Sequence, residues 1–138
     1  LEAGYIYIGM DHFAKPDDEL AIAQRDNKLY RNFQGYSTHS DCDLIGLGIT
    51  SIGRVADRCI QNVKDLAAYD AAIKLGALPV FKGLVLNDDD KLRCAVITQL
   101  ICHFSLSFEQ IKQQYAIQFR DYFSDELTVY IACKKMLY

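Results

Sequence analysis

NDDDKLRCAVITQLICHF, Asn87 to Phe104, is the stretch on which the reading of this chain turns. Asn87 is a helix-capping residue type, and the three aspartates after it set negative charge against the positive end of a helix dipole. Leu92, Val96, Leu100 and Phe104 recur at every fourth position, with Ile97 and Ile101 widening the stripe. That spacing predicts one amphipathic helix facing a core through those side chains. Downstream, Ser107-Phe108-Glu109-Gln110 is a capping box, and Leu106 and Ile111 are placed to form a hydrophobic staple across it. Tyr115 to Tyr122 and Asp125 to Met136 also read as helical. Upstream, Val80 to Leu86 is a short strand bounded by Pro79 and Asn87.

Further towards the start, Asn62 is expected to cap a helix, with Asp65 three residues on and Gly76 closing it. YIYIGM, Tyr5 to Met10, is aromatic and β-branched and predicts a buried strand. Lys15-Pro16-Asp17-Asp18-Glu19 then marks a helix start, with the helix running through Leu20, Ile22 and Ala23 towards Leu29. Between these lies RNFQGYSTHSDCDLIGLGITSIG, Arg31 to Gly53, which holds four of the eight glycines. Leu44 to Ile52 is its candidate strand, or strand plus loop. A mixed first half and a helical second half define an α+β fold class.

The bulk properties exclude several classes. With 138 residues, 51% hydrophobic and 24% charged, the composition is that of a globular chain. A net charge of −3 gives no electrostatic footprint for nucleic acid. No apolar run approaches the ~20 residues of a membrane helix, and no signal-type leader opens the sequence. The chain begins at Leu1 rather than Met, with a strand almost at once, so a piece of a longer protein is expected. Cys42, Cys59, Cys94, Cys102 and Cys133 are spaced 17, 35, 8 and 31 apart, matching no zinc pair or iron–sulfur triplet. They read as buried reduced thiols, three of them on helices, as fits a cytoplasmic protein.

Few residues advertise chemistry. Asp11-His12 directly follows a strand, the edge at which ligands sit in open α/β sheets and barrels, and a histidine there can shuttle protons. A strand-end histidine bonded to a neighbouring loop explains the same residues, and they favour that reading when taken alone. His39 and His103 default to structural roles. Gly46-Leu47-Gly48 is too short for a dinucleotide fingerprint, and Asp88 to Asp90 read as a solvated helix start rather than a metal site.

GYIYIGMDHFAKPDDELAIAQ (residues 4–24), LYRNFQGYSTHSDCDLIGLGITSIG (29–53) and NDDDKLRCAVITQLICHF (87–104) resemble the C-terminal part of oxygen-independent coproporphyrinogen III oxidase. This is a family of bacterial radical S-adenosylmethionine enzymes of haem biosynthesis. GMDHFA-x-PDDEL and RNFQGY-(S/T)-T are the most specific blocks. Haem-chaperone relatives usually carry a tyrosine-tryptophan type sequence where this chain has Phe33-Gln34-Gly35-Tyr36, which favours the oxidase. The resemblance implies oxidative decarboxylation of two propionates of coproporphyrinogen III to vinyl groups, giving protoporphyrinogen IX. It implies two cofactors, S-adenosylmethionine and a 4Fe–4S cluster on a C-x-x-x-C-x-x-C motif.

That motif is absent from this sequence, so the cluster ligands are expected upstream and the fragment is expected to be inactive alone. Residues 1–56 are then the last part of a radical-SAM-type α/β barrel, and 57–138 the start of a mostly helical C-terminal domain. By the same resemblance Gln34 and Ile52 contact a second S-adenosylmethionine, Ile52 through its backbone. Gly46, Gly48 and Gly53 then shape the wall, and Asp11 and His12 face the active-site end without an assigned step. The implied partner is a porphyrinogen, with the electron acceptor open and self-association of the fragment through uncovered sheet edge expected. A non-enzymatic haem-trafficking relative and a plain interaction domain are the alternatives.

Overall fold

A computed structural model describes residues 3–40 and 42–135. The chain divides into two compact units, Leu1–Phe104 and Ser105–Tyr138. The α+β expectation is borne out: short antiparallel sheets and helices share the first unit, and helices build the second.

In the first unit β1 (Ile6–Gly9) is not a lone strand running into a loop. It pairs antiparallel with β2 (His12–Ala14), placing Ile6 opposite Ala14. The reversal is made by Met10, whose φ of 49° is a left-handed conformation that no residue type in the sequence signals. Helix α1 (Glu19–Arg25) is capped by Asp18, whose carboxylate accepts from the Leu20 N–H at 2.9 Å. It stops short of Leu29 because Asn27 turns left-handed at φ 55°. A second hairpin, β3 (Tyr30–Asn32) with β4 (Gly35–Ser37), follows. Ile8, Ala14, Ala21, Ala23, Leu29 and Cys102 form the core, with Ile6, Leu20 and Tyr36 packed against it.

The third sheet has the order β5–β6–β7, all antiparallel: β5 (Ile52–Val55), β6 (Arg58–Asn62) and β7 (Val80–Val85). The strand expected over Leu44 to Ile52 therefore begins only at Ile52. The glycine-rich residues before it form a loop, tied by one bridge between Leu44 and Arg54. Helix α2 (Leu66–Lys74) lies between β6 and β7 in sequence. Its cap is Asp65, which accepts from the Ala68 N–H at 2.8 Å, and Gly76 follows its end at φ 68°. Asn62 is not the cap; it ends β6 and is buried. Asn and Asp are both capping types, and the sequence offered two starts three residues apart.

Helix α3 (Asp88–His103) has the expected cap at Asn87, and the structure adds a capping box, with Asn87 and Asp90 bonding reciprocally at 2.8 and 3.0 Å. Its buried side chains are Leu92, Val96 and Cys102, whereas Leu100 and Phe104 are 46% and 61% exposed. The helix packs on β1 and β3, two short strands that cover only part of the expected stripe. Phe104 is itself the left-handed C-cap, and its ring stacks on Tyr7 at 6.2 Å. The thiols differ in burial: Cys102 is buried, Cys59 and Cys94 half-buried, and Cys42 exposed. Cys59 lies on β6 rather than on a helix, and the Cys133 side chain falls outside the described part of the chain.

In the second unit α4 (Phe108–Tyr115) starts at Ser107, whose hydroxyl accepts from the Gln110 N–H at 3.3 Å. The continuous helix expected from Tyr115 to Tyr122 is interrupted by Ala116 at φ 54°, leaving the short α5 (Phe119–Tyr122). Helix α6 (Ser124–Lys135) completes the unit; Met136 lies beyond the described residues. Ile111 is fully buried with Phe119 and Phe123 beside it in this small core, and the exposed Phe108 ring stacks on Phe119.

Candidate functional site

One buried amide holds the glycine-rich loop at two points. Asn62 donates from Nδ2 to the carbonyl oxygens of Gly46 (3.0 Å) and Gly48 (2.9 Å). Burying a polar side chain is tolerable because it is satisfied, and here the satisfied bonds give the loop its path. The Tyr69 hydroxyl on α2 accepts from the Gly48 N–H at 3.0 Å, and the Ser51 hydroxyl bonds the Leu47 carbonyl. The Gln61 amide reaches the Thr50 carbonyl at 3.1 Å. Gly46 and Gly53 are required by close approach: an added Cβ would lie 2.8 Å from the carbonyl oxygens of Ile52 and Leu44, respectively. Gly48 is required by its backbone, φ 93°; an added Cβ would make only an ordinary contact with the Ser51 hydroxyl, at 3.8 Å.

Gln34 and Ile52 sit on separate sheets. Gln34 occupies the tight turn of the β3–β4 hairpin, exposed beside Phe33. The Asn32 side chain fixes that turn by accepting from the N–H groups of Gln34 (2.8 Å) and Gly35 (3.2 Å). The Gln34 side chain is exposed at this turn, and its carboxamide offers a polar ligand both a donor and an acceptor. Ile52 opens β5, half-buried, its carbonyl against Gly46 and its side chain lining a cavity over the sheet. The Arg54 guanidinium, two residues on, donates to the Tyr30 hydroxyl at 3.1 Å and so ties β5 to β3.

Asp11 and His12 lie in and after the β1–β2 turn, with Nδ1 of His12 3.0 Å from Oδ1 of Asp11. The contact is ionic when the imidazole is protonated; its alignment is outside hydrogen-bond geometry. The imidazole meets the Tyr36 ring edge-on at 5.2 Å, and the Arg31 guanidinium lies over the same ring at 4.8 Å. The Tyr36 hydroxyl donates to the Ile101 carbonyl at 3.3 Å and occupies the niche left by the missing side chain of Gly9. Tyr36 thus joins both hairpins to α3, a role the sequence did not announce. The same holds for Asn62 and Tyr69, whose partners are backbone groups far away in sequence.

Burial raises the Tyr36 and Cys102 pKa values above the ordinary 10.0 and 9.0, and the nearby Arg31 cation opposes both shifts. Burial also lowers that of His103 below 6.5. Each shift favours the neutral form in the folded state. Above about pH 9 the unfolded chain releases protons that the folded chain keeps, and below about pH 6.5 it takes up a proton that the folded chain refuses. Stability is therefore expected to fall on both sides of that window. Denaturant midpoints measured against pH should show a flatter acid limb for His103→Gln and a flatter alkaline limb for Tyr36→Phe combined with Cys102→Ala.

Among the described residues no three His, Cys, Asp or Glu side chains converge to hold a metal ion. No helix among them is long and apolar enough to cross a membrane.

No family model matches the chain. Among solved structures, its fold is similar to that of a radical SAM enzyme, with TM-score 0.90 and 44% identity over 97% of this chain and 31% of that one. That enzyme is coproporphyrinogen III oxidase from Escherichia coli. Oxygen-independent coproporphyrinogen III oxidases from Pseudomonas aeruginosa, Synechocystis and Escherichia coli are 54%, 50% and 45% identical over 89%, 92% and 91% of the chain. The chain is thus homologous to a segment of these enzymes, and the family resemblance carried by its motifs is borne out. It spans 27–28% of the length of these three relatives.

Proposed function

We propose that this chain is part of an oxygen-independent coproporphyrinogen III oxidase acting in haem biosynthesis in the cytoplasm. Identity of 45–54% over about nine-tenths of the chain, with the same backbone path as the radical SAM relative, carries the reading. The reaction converts two propionates of coproporphyrinogen III to vinyl groups. Each conversion removes one hydrogen atom from the side chain, breaks its bond to the carboxylate, releases carbon dioxide and passes one electron to an acceptor. S-adenosylmethionine, with a 4Fe–4S cluster whose ligands lie outside this chain, supplies the radical that takes the hydrogen.

In this reading residues 1–56 are the last part of the catalytic barrel and residues 57–138 begin the helical domain. The β5–β6 hairpin spans that join. This chain contributes a binding wall: the Gln34 amide takes polar groups of a second S-adenosylmethionine, and the Ile52 backbone and the glycine loop approach it closely. The reading is supported by the exposed carboxamide at the Asn32-fixed turn and by Gly48, which sets no side chain between the loop backbone and a ligand. Strand β7, exposed along its length and paired only through β6, provides the edge for self-association of the isolated chain.

The test is Gln34→Ala in the complete enzyme. Losing one ligand-facing amide is expected to weaken S-adenosylmethionine binding by about 1–2 kcal/mol, roughly 5- to 30-fold. Iron content and cluster absorption should be unchanged while protoporphyrinogen yield falls. Wild-type turnover and S-adenosylmethionine dependence in this variant would remove Gln34 from the site.

A further inference from the structure

One face of the β5–β6–β7 sheet carries a cavity of about 300 Å³, lined by Ile52, Cys59, Gln61, Lys82 and Leu84 among others. Its size falls at the lower end of the range of small-molecule sites. The strand register sets Ile52, Gln61 and Lys82 opposite one another in one row, with Cys59 opposite Leu84 two positions along. Residues directly opposite share a face, and so do positions two apart, so these five side chains look into the same space. Lys82 is the one charged residue of the lining, and no ion pair engages it among the described residues.

The charge pattern selects among the ligands of the proposed reaction. S-adenosylmethionine carries a sulfonium and an ammonium against a single carboxylate, and a wall with a cation and no acid repels it. Coproporphyrinogen III carries four propionates on an apolar macrocycle, which matches an apolar wall with one cation. We propose that this cavity receives a carboxylate-bearing arm of the porphyrinogen, with the Lys82 ammonium on the carboxylate and Ile52 and Leu84 against the adjoining ring. The assignment rests on the oxidase reading given above. It makes Lys82 a substrate-binding residue, and Ile52 the point where the substrate wall meets the S-adenosylmethionine wall.

The test uses the complete enzyme with Lys82→Gln, Lys82→Arg and Leu84→Glu, with coproporphyrin III, the stable oxidised form of the substrate, as binding probe. Lys82→Gln is expected to weaken coproporphyrin III binding and raise KM for coproporphyrinogen III about tenfold. S-adenosylmethionine affinity and cluster content should stay within about twofold of wild type, a difference too small to count as a lost contact. Lys82→Arg should restore binding, and Leu84→Glu, which sets an acid in the cavity, should weaken it at least as much as Lys82→Gln. Unchanged porphyrin affinity in both Lys82→Gln and Leu84→Glu would overturn the inference. So would an equal loss of S-adenosylmethionine affinity, because the cation would then serve the cofactor. Failure of the wild-type enzyme to bind coproporphyrin III or to turn over coproporphyrinogen III would instead overturn the oxidase reading, and this inference with it.

Discussion

Gly53→Val is expected to destabilise the first unit by about 3 kcal/mol, the upper part of the usual range for overpacking. A Cβ at this buried position would sit 2.8 Å from the Leu44 carbonyl oxygen and 3.2 Å from the Gly46 nitrogen, both backbone atoms that cannot rotate away. The loop has to lift off β5, which breaks the Leu44–Arg54 bridge, whose two hydrogen bonds are each 2.7 Å. Gly48→Val should cost less, because a Cβ there meets nothing closer than the Ser51 hydroxyl at 3.8 Å and its φ of 93° is the main resistance to a side chain. Amide hydrogen exchange in the complete enzyme separates the two. Leu44 and Arg54 should lose protection in Gly53→Val and keep most of it in Gly48→Val. Equal protection in both variants would show that the loop is not docked through these glycines.

Ile111→Ala is expected to cost about 3 kcal/mol, within the range for truncating a fully buried isoleucine. The second unit has little else to fall back on: its buried side chains among the described residues are Ile111, Phe119 and Phe123. A unit this small buries a low fraction of its surface, so one such loss should melt helices α4 to α6. Limited proteolysis should then cut after Phe104 while the first unit stays resistant. Retention of full helicity and resistance would mean that the second unit draws its stability from elsewhere.

The elements legible in the sequence were those with long periodic patterns or strong caps. Asn87 and its aspartates marked the start of α3, and the Val80 to Leu86 run became β7 with the expected start and an end one residue earlier. The two small hairpins were not legible. Strands of three or four residues are too short to show a period of two, and the left-handed turn at Met10 lacks the usual glycine or asparagine. Asn32, the second residue of RNFQGY, carried the signal of a tight turn before Gly35, but that signal is local and says nothing of the strand pairing. Asn62 was misread because a side chain that caps a helix and one that staples a distant loop look alike until the chain is folded. As for the candidate site, Gln34 and Ile52 came from family resemblance alone. Lys82 was invisible because only strand register sets it beside Ile52.

The staple at Asn62 has a consequence for inheritance. The path of residues 46–48 is held by an amide on β6 and a hydroxyl on α2, both encoded well downstream of the loop itself. Loop and holders are therefore a single heritable block, although a turn at residues 56–57 looks like a convenient seam. A gene recombined inside residues 46–69 joins a loop from one lineage to holders from another, and any change of size at Asn62 or Tyr69 goes uncompensated. A crossover after Phe104, where the first compact unit ends, separates nothing that bonds the loop. Hybrid chains assembled from divergent parents should survive far more often with the second junction than with the first.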